Sequence, residues 1–274
     1  MKHLIKDIKQ TKKGIKIIFE DDISFLLSIN DFTDGYYYPN KSLSDEEYKD
    51  LKDKSNYKKI TEYLNRVLSS KRYTYKEIET KLSSKYHLSS SKIQSILSPY
   101  VDNKIIDDYD FALEFIETKV LLGYGKEYIL HSLKQKGINE EILKRNEVIE
   151  SLNTIDYEIL RLLISKMDKS KRNIPLLKRK NQIMMSLIKR GYQSQLCRKE
   201  IDDFYSSRSE EEKKIDQTNQ YITLKKEAER CYNSLSRKKY DSYKKKESFI
   251  QKLISKGYAY SEIEPILKEY SFND

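Results

Sequence analysis

The sequence predicts a mainly α fold: tandem three-helix repeats forming an elongated curved array, behind a small N-terminal antiparallel β meander. The first observation behind this is a block that returns four times on a helical pattern. It runs Ile129 to Ile138, Ile183 to Tyr192 and Phe249 to Tyr258, with a degenerate copy from Ile78 to Tyr86, where Tyr86 stands in place of Gly. In every copy an apolar residue precedes a Leu by four positions, which puts both on one helical face. In three copies Gly137, Gly191 or Gly257 follows that Leu by four, where a left-handed residue ends a helix. The second observation is that only seven Gly and four Pro interrupt 274 residues, leaving long stretches free to be helical. The third is the contrast of the first thirty residues, where β-branched and aromatic runs replace the helical pattern.

Each element follows from local chemistry. Ile15 to Phe19 and Ile23 to Leu27 read as strands separated by Glu20-Asp21-Asp22, and a turn at Lys12-Lys13-Gly14 joins them to the segment Leu4 to Lys9. Ser44-Asp45-Glu46-Glu47 opens a short helix with acids in its first turn, closing an N-terminal division over 1–56. Module 1 (57–104) has helices near 57–70, 75–86 and 90–98, the last ending near Pro99; Thr74 and Glu77 form a capping box at the second. Module 2 (105–151) opens at Asp107-Asp108 and continues through Phe111, Ala112, Phe115, Ile116 and Val120. It turns at Gly123-Tyr124-Gly125 and closes with a helix from Asn139 through Ile149. Module 3 (152–207) and module 4 (208–274) repeat this plan. The equivalent Leu82, Leu133, Leu187 and Leu253 are 51, 54 and 66 positions apart, which predicts longer first or second helices in the last two modules. A single module buries too little of its apolar stripe, so neighbours stack.

The net charge of +10 is unevenly placed: −1 over 1–56, +2 over 57–151 and +9 over 152–274. Between 161 and 199 twelve Lys or Arg face one acid, Asp168, while the rest of the chain sums to about neutral. Localised basicity of this kind is the footprint of a polyanion-binding surface. Lys169, Lys171 and Arg172 precede the helix start at Ile174-Pro175. Lys178, Arg179 and Lys180 fall on its first turns, Lys189 and Arg190 at its end, and Arg198 and Lys199 on the next helix. A merely solvated face mixes in acids as i,i+4 partners, and those are missing here. A second stretch, Arg237-Lys238-Lys239 and Lys244, Lys245 and Lys246, has Tyr240 and Tyr243 interleaved, which allows base stacking. The cations named in the window and the second triplet together make thirteen residues. These thirteen cations are the candidate nucleic-acid or filament contacts.

Other chemistries find little support. Cys197, Cys231, His3, His87 and His131 have no zinc-site spacing, two thiols make no disulfide framework, and no cofactor is indicated. Asp107-Asp108 reads as first-turn acids that offset a helix dipole rather than as a metal site. Cys197 lies beside basic residues that could depress its pKa, against the alternative of a packed small hydrophobe. No nucleophile motif or phosphate loop is present, so the chain reads as a non-enzyme. The charged N-terminus lacks signal-peptide character and no apolar run reaches membrane-spanning length, which predicts a cytoplasmic protein.

The stretch Ile105-Ile106-Asp107-Asp108-Tyr109-Asp110-Phe111-Ala112, continuing to Gly125 and then to Leu133 through Ile138, resembles the RecX regulatory proteins of bacteria. The β meander is similar to Gram-positive members. The chain departs from the family at the hinge, with Tyr124-Gly125-Lys126 where Lys-Gly-Pro is usual, and at Tyr73, where a basic residue is usual. The resemblance implies a modulator of the RecA recombinase, made of three-helix modules that lie in the groove of a RecA–DNA filament. It implies inhibition of strand exchange and ATP hydrolysis, binding to single- or double-stranded DNA, and a role in homologous recombination, DNA repair and the SOS response. A monomer with no membrane partner is expected. The residues alone leave open a helical-repeat DNA-binding protein, or a protein scaffold, without a recombinase partner.

Overall fold

The computed structural model describes residues 3–154, 156–172 and 174–272. The chain forms two compact units, Met1–Phe111 and Ala112–Asp274. This division is coarser than the five parts expected from the sequence.

The first unit begins with β1 (His3–Thr11), β2 (Gly14–Phe19), β3 (Ser24–Leu27), the short α1 (Ile29–Thr33) and β4 (Ser42–Leu43). The strands form one antiparallel sheet in the order β3-β2-β1-β4. The meander expected from the sequence is there, and β4 adds a fourth strand whose two residues are too short to carry a periodicity. Gly14 turns the hairpin at φ +135°, and a Cβ there would stand 2.2 Å from the Leu27 carbonyl oxygen. Alternation puts Ile5, Ile17, Phe19, Phe25 and Leu27 on one face, where they bury with Leu43 and Leu51.

The next helix corrects the expected break at 56/57. Helix α2 runs unbroken over Asp45–Leu68, opened by the Ser44–Glu47 capping box. No Gly or Pro interrupts it, and its two halves serve two cores. Leu51 packs with the sheet, while Ile60 and Leu64 pack with the following helices. Helices α3 (Tyr75–Tyr86) and α4 (Ser90–Asp102) complete that second core through Ile78, Leu82, Ile93, Ile96 and Leu97. Pro99 lies inside α4 rather than ending it, and Asn103 donates from its backbone and from Nδ2 to the Pro99 carbonyl. In this degenerate repeat the left-handed residue is His87, at φ +52°, one position after Tyr86.

Helix α5 (Asp108–Leu121) carries the division between the units. Asp107 Oδ1 accepts the amides of Tyr109 and Asp110, and Asp108 Oδ1 accepts the amide of Tyr75 at the start of α3. The acidic pair therefore caps two helices. Burial pushes the Asp108 carboxyl above its ordinary range, with the Tyr75 amide partly offsetting it.

The second unit continues with α6 (Lys126–Gln135), α7 (Glu140–Leu143) and α8 (Asn146–Asn153). The single helix expected over Asn139–Ile149 is thus split at Lys144-Arg145. Leu143 and Val148 are both buried, and five positions on one continuous helix would point them about 140° apart. Helices α9 (Tyr157–Ser170), α10 (Leu176–Lys189) and α11 (Ser194–Ser206) bury Leu160, Ile164, Ile183, Leu187, Cys197 and Ile201 together. Helices α12 (Glu210–Ser236), α13 (Ser242–Ser255) and α14 (Tyr260–Leu267) enclose a further core around Leu224, Ala228, Phe249, Leu253 and Ile263. The 27 residues of α12 account for the widest repeat spacing.

Gly137, Gly191 and Gly257 all take positive φ, +81°, +88° and +101°. Gly191 also makes a joint between modules. The Gly125 amide donates to the Arg190 carbonyl at 2.7 Å and the Glu127 amide donates to the Gly191 carbonyl at 3.2 Å. The end of α10 thereby meets the start of α6, carbonyls against amides, in the favourable sense of both helix dipoles. A Cβ on Gly191 would sit 2.3 Å from the Tyr128 amide nitrogen, and one on Gly125 would sit 2.4 Å from the Gly191 oxygen. One module on, Gly257 at the end of α13 abuts Lys178 at the start of α10, where a Cβ would lie 2.7 Å from the Lys178 Cβ.

Gly191→Ala is expected to lower stability by about 2–4 kcal/mol, from left-handed strain plus a collision with backbone. Gly257→Ala meets one side-chain Cβ, that of Lys178, rather than several backbone atoms, and is expected to cost less, about 1–3 kcal/mol, from the same two sources. Urea unfolding of the two variants checks the order; equal losses would refute the joint.

Candidate nucleic-acid and filament interface

The thirteen candidate cations do not share one fate. Lys169, Arg172, Lys178, Lys189, Arg198, Lys199, Lys244 and Lys246 are exposed, and they form no ion pair among the described residues. Lys178 and Lys189, eleven positions apart on α10, fall within about 20° of one another around the helix and about 16 Å apart along it. Lys171 and Lys245 are half-buried. Lys178 and Lys244 occupy equivalent places near the starts of α10 and α13, so the same exposed cation recurs in successive modules. Tyr243 beside Lys244 is 76% exposed, while Lys238 and Lys244 lie 5.4 and 5.0 Å from the Tyr240 ring centre.

Three candidates are turned to structural work. Arg179 is 1% exposed, and so is Asp168, the lone acid of the basic window. Arg179 Nη1 donates to Asp216 at 3.2 Å and Nη2 bonds the same carboxylate, while Nε lies 3.2 Å from Asp168 without hydrogen-bond alignment. Arg208 bridges both acids, bonding Asp168 through Nη2 and Asp216 through Nη1 at 2.9 Å. The Tyr205 hydroxyl donates to Asp168 at 2.5 Å, and burial, reinforced by that bond, pushes its pKa well above the usual phenol range. Two cations and two carboxylates make a neutral, closed quartet that clasps α9, α10 and α11 to α12. Its worth lies in completeness, because stripping one partner strands a buried charge.

Arg190 belongs to the module joint. Its Nη1 donates to the Leu122 and Gly123 carbonyls at 3.1 and 3.2 Å, satisfying the end of α5. Its guanidinium also lies 5.1 Å from the Tyr124 ring, which stacks on Tyr128 at 4.3 Å. Lys180 is held by Asp202 at 3.1 Å. The acids that appear missing from the window are supplied from beyond it: Glu200 pairs with Arg161, Asp202 with Lys180 and Asp216 with Arg179. These partners lie 22 to 39 positions away in sequence, outside any i,i+4 pattern.

Both thiols are buried. Burial pushes the Cys197 thiol up to about 11 and raises that of Cys231, so Cys197 is a packed core group despite its basic neighbours. Among the described residues no three His, Cys, Asp or Glu side chains cluster to hold a metal ion. Nor is any described helix long and apolar enough to cross a membrane.

These features define a helical-repeat protein whose successive modules abut through glycines and carry recurring exposed cations. No protein-family model matches this chain. A regulatory protein RecX of Finegoldia magna is 30% identical over 208 residues, covering 74% of this chain and all of that relative. The regulatory protein RecX of Streptococcus gordonii is 27% identical over 271 residues, covering 97% of this chain and all of the relative. A crystal structure of regulatory protein RecX shares the fold, with a TM-score of 0.54 and 20% identity over 73% of this chain and 99% of that one. The chain belongs to the RecX family of regulatory proteins.

Arg179→Ala is expected to lose about 3–5 kcal/mol of stability, because it leaves Asp168 and Asp216 to share the single Arg208 guanidinium, with one negative charge in the cluster uncompensated. Lys178→Ala, one position away, should stay within about 0.5 kcal/mol; urea unfolding of both checks the contrast. In a separate measurement at neutral pH, a thiol-specific reagent should label neither Cys197 nor Cys231 until the protein unfolds. Prompt labelling of the native protein would contradict the packed assignment.

Proposed function

We propose that this protein modulates the RecA recombinase by binding its filament on DNA, and that it inhibits strand exchange and ATP hydrolysis. Membership of the RecX family carries the reading. One feature of the second unit supports a mechanism. Modules joined through their second helices repeat their surfaces in register, which suits a partner that is itself a repeat. Several weak contacts in series then add through effective concentration, without any one being strong.

The DNA-contacting set under this reading is the exposed one: Lys169, Arg172, Lys178, Lys189, Arg198, Lys199, Lys244 and Lys246, with Lys171 and Lys245 at its margin. Arg179, Lys180 and Arg190 are left out because they hold the fold. Bridging successive recombinase subunits resists the motions that accompany ATP turnover, and cations laid along the bound strand obstruct entry of a second DNA. The protein acts as a monomer in the cytoplasm, without cofactor or catalysis of its own.

Adding the purified chain to RecA on single-stranded DNA should slow ATP hydrolysis and strand exchange; unchanged rates would refute the proposal. With about five phosphates neutralised, binding to single strands should show a log–log salt slope of about −3.5. The double variant Lys178→Glu with Lys189→Glu should flatten that slope while its melting curve stays close to wild type. A slope that does not move removes these lysines from the interface.

A further inference from the structure

The first unit holds a second basic surface of different make. A groove of about 470 Å³ opens between the β1–β2 turn, the second half of α2 and the end of α3. Four cations line it: Lys13 on the turn, Lys59 and Arg66 on α2, and Lys85 on α3. All four are exposed and none enters an ion pair among the described residues. The single acid on its wall, Glu62, lies 3.9 Å from the ammonium of Lys58, which offsets its charge. Two half-buried tyrosines floor the groove, Tyr63 and Tyr86, edge to face at 5.8 Å and 70°. Lys85 Nζ stands 3.9 Å from the Tyr63 ring centre, and the Arg66 guanidinium stands 5.7 Å from the same ring.

We propose that this groove binds single-stranded nucleic acid, with a base against the Tyr63 ring and successive phosphates on Lys59, Arg66 and Lys85. Uncompensated cations around an aromatic floor are the combination that holds a strand without reading its sequence. An exposed ammonium resting on a ring is weakly held there, so Lys85 can exchange the ring for a phosphate as a base stacks. Lys59 and Arg66 lie seven positions apart, about 10.5 Å along the helix, a span that fits more than one phosphate. A strand is therefore the occupant rather than a free nucleotide. The site lies wholly in the first unit and does not rest on the recombinase reading, since no recombinase takes part in it.

The test uses the full chain without RecA and a short fluorescein-labelled oligothymidylate as probe. Arg66→Ala with Lys85→Ala should weaken binding at least tenfold and reduce the magnitude of the log–log salt slope by about 1.4, that is, two phosphates. Tyr63→Leu should weaken binding about tenfold through lost stacking, and Tyr63→Phe should restore it. Photocrosslinking with a bromodeoxyuridine-containing strand should label the peptide carrying Tyr63, a readout independent of any stability change in the variants. Wild-type affinity and slope in the double variant would overturn the proposal, as would crosslinks confined to the second unit. Displacement by ATP at concentrations equal to those of oligothymidylate phosphate would make it a mononucleotide pocket, which overturns the strand assignment. The Lys178→Glu, Lys189→Glu chain serves as comparator, because a defect there with an intact groove separates the two surfaces.

Discussion

Where α10 ends, the carbonyls of Arg190 and Gly191 have run out of helical partners, and where α6 begins, the amides of Gly125 and Glu127 have none. Each set satisfies the other at 2.7 and 3.2 Å, so two helix ends that would otherwise need water are closed by one contact. Backbone can come this near only if no Cβ intervenes, which is why both positions are glycine. The Arg190 side chain then reaches the last carbonyls of α5, and Tyr124 and Tyr128 stack beside it. One short stretch thus fixes module 2 against module 3. The hinge Tyr124-Gly125-Lys126 has a physical role here: Tyr124 offers a ring to Tyr128 and Arg190, and Lys126 donates to Asn153.

The quartet of Arg179, Asp168, Arg208 and Asp216 performs the corresponding task between module 3 and α12. It spends four charges of a basic region on cohesion rather than recognition. A buried network of this kind tolerates no partial version, because each carboxylate is shared between two guanidinium groups. Neighbouring residues in one run of sequence therefore do opposite things: Lys178 faces water, and Arg179 is among the most deeply buried side chains of the chain.

Much of the fold was legible because it obeys local rules. The apolar pair four apart, the glycine after it, the Thr74–Glu77 and Ser44–Glu47 caps and the alternating strands each leave a signature within a few residues. Less legible was whatever depends on distant parts of the chain. The continuity of α2 across 56/57 follows from two cores sharing one helix, and the break at Lys144-Arg145 from the need to bury both Leu143 and Val148. Which of the candidate cations are exposed was readable only in outline. A linear charge window finds Lys178 and Lys189, yet it counts Arg179, Lys180 and Arg190 as well, since Asp216, Asp202 and the Leu122 carbonyl come from other helices. The reverse failure hides the groove of the first unit. Lys13, Lys59, Arg66 and Lys85 are scattered over more than seventy positions of nearly neutral sequence, and only the packing of α2, α3 and the hairpin turn brings them around Tyr63.

On the proposed function, modules 2 to 4, joined through glycines within the second unit, present recurring cations to a long, repeating, nucleic-acid-bearing partner. Co-sedimentation with RecA filaments assembled on single-stranded DNA tests that claim most directly, alongside RecA without DNA and the DNA alone. The protein is expected to pellet with the assembled filament in preference to either component by itself. Recovery in the supernatant, with filaments intact in the pellet, would contradict it.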